Sequence, residues 1–142
     1  MKVKQSVLLA EFFLALVASS AFGQLFESDS KRLGTSKMDI VVREIERRPR
    51  TSVLDIKINS VGSSVGASFF LLCSIRQLAR LRGDFQYIVK LEEKPKRGQM
   101  LVGFLTNADE PLINVGKEFE HLNPAEAIIN LEQFASICDS MK

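Results

Sequence analysis

Thr51-Ser-Val-Leu-Asp-Ile-Lys-Ile-Asn-Ser-Val61 runs straight into Gly62-Ser-Ser-Val-Gly66 and then Ala67-Ser-Phe-Phe-Leu-Leu-Cys-Ser-Ile-Arg-Gln-Leu-Ala-Arg-Leu81. The hydrophobic period changes from two to helical across this stretch, and that change decides the fold class. In the first part Val53, Asp55, Lys57 and Asn59 face one way while Leu54, Ile56 and Ile58 face the other, as a half-buried strand requires. Gly62 to Gly66 supplies a turn and an N-cap. The following run predicts the principal buried helix, ending near Arg80 and Arg82 with Gly83 as its C′ glycine. Phe69, Phe70, Leu71, Leu72, Cys73 and Ile75 require cover on most sides of its first half, whereas Arg76, Gln77 and Arg80 mark a wet face further on.

Upstream, Met38 to Glu46 carries the β-branched cluster Ile40, Val41, Val42 and Ile45, which favours a strand, though Arg43 to Glu46 could equally close a short helix, and Arg47-Arg48-Pro49-Arg50 breaks the segment. Downstream, Phe85 to Leu91 and Gln99 to Thr106 read as a hairpin joined through Glu92 to Gly98, where Pro95 and Gly98 turn the chain. Asn107 to Pro111 is a second turn, with a short strand expected over Leu112 to Phe119. Asn123-Pro124 with Glu126 starts a terminal helix expected to reach Met141. Its apolar stripe would be Ala127, Ile128, Leu131, Phe134, Cys138 and Met141. The order implies an α+β fold, a two-layer sandwich with a mainly antiparallel sheet and two helices packed on one face.

The N-terminus points to a compartment. Lys2 and Lys4 precede an apolar run from Val7 to Ala18, interrupted by Glu11; Ala21 and Gly23 occupy the −3 and −1 places of a cleavage site, and Ser19-Ser20-Ala21 offers a second register ending at Ala21. Residues 1–23 are therefore expected to be a cleavable signal peptide, residues 24–37 a flexible N-terminal arm, and residues 38–142 a single α+β domain. The apolar run is too short for a membrane span, so no transmembrane anchor is expected after cleavage. The expected location is periplasmic or extracellular.

The segment Ser68 to Gly83, followed by Phe85-Gln-Tyr-Ile-Val89 and Val102-Gly-Phe-Leu105, resembles small exported bacterial α+β proteins of uncharacterised function. That resemblance implies a fold and a compartment, and brings no site residues with it.

Hydrophobic content of 46% with 25% charged residues describes a folded chain. Loss of Lys2, Lys4 and Glu11 takes the formal net charge from +2 to +1, so no general attraction to nucleic acid is expected. Basic groups gather at Arg43 to Arg50, at Arg76 to Arg82 and at Lys94 to Arg97, but Glu44, Glu46, Asp84, Glu92 and Glu93 dilute them into solvated faces. The two cysteines, Cys73 and Cys138, allow one pairing; in an oxidising compartment they either form a disulfide or remain small buried hydrophobes. With one histidine they are too few for a structural zinc site, and neither a metal nor a cofactor is implied.

His121 is the only imidazole, hence the only obvious base near neutral pH. To act on a nucleophile it would need Cys138 or a serine between Ser60 and Ser68, with Glu118 or Glu120 to orient it. Ser63, Ser64 and Gly66 stand where a helix N-terminus could receive an anion, without a P-loop ending or dinucleotide fingerprint. Two functions follow. The first is a non-enzymatic exported binding domain that meets a protein, peptide or envelope component through its sheet face or a strand edge. The alternative is a small hydrolase or anion-binding protein built from His121 and the Gly62 to Ser68 turn. An uncovered edge along Gln99 to Thr106 would favour the first; His121 beside that turn would favour the second.

Overall fold

The computed structural model describes residues 24–34 and 37–141. The expected signal peptide, residues 1–23, lies outside the described residues. In chain order the elements are β1 (Glu27–Asp29), β2 (Asp39–Arg47), β3 (Thr51–Ser60), α1 (Ser64–Gly83), β4 (Tyr87–Glu92), β5 (Gln99–Leu105), α2 (Pro124–Ala127), β6 (Ile129–Asn130) and α3 (Ala135–Ser140). The strands form one sheet in the order β1-β2-β3-β5-β4-β6, with every neighbouring pair antiparallel. The architecture is α+β. Two hairpins, β2–β3 and β4–β5, are joined through α1 so that β5 lies in the middle of the sheet. Gln99 to Leu105 is thus paired on both sides and offers no edge.

The alternation that predicted β3 places Leu54 under α1 and Val53 on the opposite face. Under α1 lies the larger core, where Ile40, Val42, Leu54, Ile88, Val102 and Phe104 from the sheet meet Phe70, Ile75, Leu78 and Ala79. Fully burying one such side chain contributes about 1.5–3 kcal/mol, so this layer carries most of the stability. The helix begins at Ser63, whose hydroxyl accepts from the Gly66 N–H at 3.0 Å. It ends one residue later than expected: Asp84 takes the left-handed cap conformation, φ 56°, with its N–H bonded to the carbonyls of Ala79 and Arg80.

Three expectations are corrected. Within the expected arm of residues 24–37, the described residues 24–34 are not free: Phe26 is buried, Glu27–Asp29 pairs with β2, and the Ser30 hydroxyl accepts from the Ile40 N–H at 2.9 Å. Leu112 to Phe119 forms two 3-10 turns, not a strand. Their side chains Leu112, Val115 and Phe119 pack on the second face of the sheet with Val53, Val89, Leu101 and Leu105. Gly103 makes that approach possible, because a Cβ there would stand 2.5 Å from Val115 Cγ1 and 3.0 Å from Phe119 Cε2. Finally, the terminal helix is broken. Asn123 caps α2 as expected, accepting from the Ala125 N–H, but after one turn the chain extends to pair Ile129 and Asn130 with β4. A 3-10 turn, Leu131–Phe134, then leads into α3. Ala127 and Ile128 serve the second core, while Leu131 and Met141 serve the first.

Cys73 of α1 and Cys138 of α3 form a disulfide, which holds the short α3 on the same side of the sheet as α1. The β2–β3 hairpin is fastened by a buried polar cluster. Glu44, whose side chain is 0% exposed, accepts from the Phe26 N–H at 3.1 Å, from the Arg47 guanidinium at 2.6 and 3.0 Å, and from the Ser52 hydroxyl. Burial alone would raise its pKa, but these hydrogen bonds outweigh it and hold the carboxyl below its ordinary value. Arg82 reaches in from the last turn of α1, donates to the carbonyls of Thr51 and Arg48, and lies 4.9 Å over the Phe104 ring.

Candidate functional site

The sequence candidates fall on opposite faces of the sheet. Gly62 adopts φ 71°, and a Cβ there would press to 3.2 Å on the Lys37 backbone, so glycine is required by the turn into α1. The Ser63 hydroxyl is engaged as the N-cap, the Ser64 carbonyl accepts from Ser68, and the open side of Gly66 leaves room for the Ser63 hydroxyl. This turn borders the α1 layer, with Gly66 beside Met38. The Ser63 and Ser68 hydroxyls and the Gly66 N–H thus have structural partners.

His121 lies on the other side. It borders a cleft of about 500 Å³ whose floor is Val53 of β3, Leu91 of β4 and Leu101 of β5, and whose rim carries Arg48, Lys94 and Glu118. A possible orienting acid, Glu118, therefore shares the cleft with the imidazole. Among the described residues no serine or cysteine lines it, and Cys138 is committed to the disulfide beyond the sheet. Acyl transfer by way of His121 would need a serine or cysteine nucleophile brought to it. What the cleft offers is an apolar floor with charges around it, which suits one apolar side chain of a partner.

The cleft also adjoins an open strand edge. β6 pairs only with Tyr87 and Ile88 of β4, and the Leu131 N–H bonds the Gln86 carbonyl at 2.9 Å. By the alternation of the ladder, the backbone groups of Lys90 and Glu92 point to the same outer side. There, among the described residues, no strand meets them. Leu91, between them, faces the cleft. Lys90 is 2.6 Å from Glu92 in an ion pair that lowers the pKa of Glu92.

A second concavity lies between α1, α3 and the segment around Ser28 to Leu33. It encloses about 400 Å³ and was not legible in the sequence, because Arg76 was read as part of a wet face. Glu132 and Asp139 bring carboxylates over that face, at 3.7 Å from Arg76 Nε and 3.6 Å from Nη1, and the Arg76 side chain is only 7% exposed.

The basic clusters are mostly spent on structure. Arg43 pairs with Glu27, Arg47 with Glu44, Arg48 with Glu46, and Arg50 with Glu110 and the Phe104 carbonyl. Among the described residues no group of three or more metal-binding side chains comes together, and no helix is long and apolar enough to cross a membrane. No family model, curated protein or solved structure matches the chain.

Proposed function

We propose that this chain is an exported, non-enzymatic interaction domain that takes up an extended peptide segment along the outer edge of β4. The observation that carries the reading is the open edge at Lys90 to Glu92 directly beside the cleft floored by Val53, Leu91 and Leu101. A strand added there gains main-chain hydrogen bonds, and every second side chain falls on the cleft side of the sheet. Edge lysines such as Lys90 discourage indiscriminate pairing, so the apolar floor has to supply the selectivity. Export is supported by the leader pattern of residues 1–23 and by the disulfide, which suits an oxidising compartment. The hydrolase alternative has Glu118 beside His121 in its favour, but His121 and the Gly62 to Ser68 turn border opposite faces.

Selection of random linear peptides on the oxidised domain, counter-screened with Leu91→Glu, tests the binding part. Peptides with an apolar residue should be enriched and lose about tenfold or more in affinity for the variant, about 1.4 kcal/mol. Peptides that bind both forms equally, or no enrichment, would overturn it. For export, the mass of protein recovered outside the cytoplasm should correspond to a chain beginning at Gln24 or, in the second register, at Phe22; full-length protein retained inside the cell would refute that half.

A further inference from the structure

The turn between β4 and β5 is tied to itself, and the tie decides which charges it shows. Glu93 adopts φ 58° and Gly98 φ 80°; the Gly98 N–H donates to the Glu93 carboxylate at 2.9 Å, and the Gln99 N–H donates to the Lys96 carbonyl at 3.0 Å. Glu92, one residue earlier, is held by Lys90 at 2.6 Å, and Glu118 on the cleft rim lies 3.9 Å from Arg48. These three carboxylates therefore have partners. Lys94, Lys96 and Arg97 are exposed and in no ion pair among the described residues. Lys94 itself borders the cleft floored by Val53, Leu91 and Leu101. From Lys90 to Arg97 four cations stand against two carboxylates, while Arg48 and Glu118 offset each other on the rim. An excess of positive charge thus sits beside an apolar floor and an open strand edge.

We infer, resting on the strand-edge reading above, that the segment taken up along β4 is acidic: an apolar residue seated on Leu91, with a carboxylate two residues away that meets Lys94. In a strand paired with Lys90 and Glu92, the residue opposite Leu91 lies on the cleft face, because directly paired residues share a face. The next residue on that face is two positions along. On one side β6 already lies against Tyr87 and Ile88, so the added strand extends toward the turn, where that second residue comes level with Lys94. Parallel and antiparallel pairing keep the same spacing. Charges at the rim of a binding surface act mainly on the rate of encounter, and salt screens them.

The test uses three libraries of end-capped heptapeptides with a central apolar residue. They are identical except that the positions two residues to either side of it are fixed as aspartate, asparagine or lysine. On the oxidised domain, aspartate peptides should bind about threefold or more tighter than asparagine ones, and lysine peptides should be weakest. The difference should lie in the association rate and shrink at high salt. Lys94→Glu, an exposed change in a turn, should remove the aspartate preference and favour lysine while leaving the dependence on Leu91 intact. Binders that need Leu91 yet rank equally across the libraries, or keep the aspartate preference in Lys94→Glu, would sink this inference and leave the strand-edge reading standing. Acidic peptides that bind as tightly without the apolar residue would mean general attraction of polyanions and overturn it as well. No binders from any library, or binders indifferent to Leu91→Glu, would overturn the strand-edge reading and this inference with it.

Discussion

Glu44 is a carboxylate in the middle of an apolar layer, and its surroundings explain why it is tolerated. Arg47, Ser52 and the Phe26 N–H answer its oxygens, and Arg82 stands 3.7 Å away. Removing one partner of such a group leaves the others buried and unsatisfied, so Glu44→Ala should lose about 3–5 kcal/mol in denaturant unfolding. A variant that lost under 1 kcal/mol would show that the cluster is incidental. The folded pKa of Glu44 lies below its ordinary value of 4.5, and that of Glu110, held by Arg50, moves the same way. Both groups therefore stabilise the fold above the unfolded pKa, and this contribution fades as pH falls through their folded values. Unfolding free energy should decline on acidification below about pH 5, and Glu44→Gln should show a shallower decline than the native chain. An equal slope in both would remove Glu44 from the account. His121 illustrates the limit of residue-level reading: its type was informative, but the Val53, Leu91 and Leu101 floor beside it comes from three separate strands and no local pattern announces it.

Elements whose apolar pattern is long relative to their period were legible. The β3 alternation and the α1 run each span ten or more residues, and both elements form where they were read, although Val53 is buried on the face read as polar, Ile58 is exposed, and Arg76 is buried on the face read as wet. The failures are short segments in which a tertiary contact outweighs local preference. Leu112, Val115 and Phe119 are spaced by three and four, a helical signal overlooked because Pro111 and Gly116 bracket so short a piece. The terminal stripe looked continuous, yet Asn130 is a second capping residue, accepting from the Glu132 N–H, and it marked a restart. Pairing with the β4 edge repays the interruption of that helix with ladder hydrogen bonds. The contact between the 3-10 turns and the sheet is equally specific. Gly103→Ala should cost about 1–3 kcal/mol by overpacking against Val115, and should raise amide exchange across Leu112 to Phe119 more than in α1. Uniform exchange changes throughout would mean that the turns and the sheet unfold as one unit.

At the scale of the whole molecule, the sheet ends in strands of three and two residues, and its long strands are interior apart from the outer sides of β2 and β4. Such short margins limit indiscriminate strand pairing while leaving a defined opening at β4. The disulfide acts at this scale too. It closes a loop with a sequence separation of 65, and the chain-entropy model assigns that closure about 4 kcal/mol, so replacing both cysteines by serine should lower unfolding free energy by roughly that amount. A loss below 1 kcal/mol would mean that the packing of α3 alone suffices. The same bond has a consequence for chain integrity. Lys96 and Arg97 are exposed in the turn between β4 and β5, inside the covalent circuit from Cys73 to Cys138. A trypsin cut at that turn would divide the polypeptide without dividing the molecule: the two pieces should migrate together on a non-reducing gel and part when thiol is added.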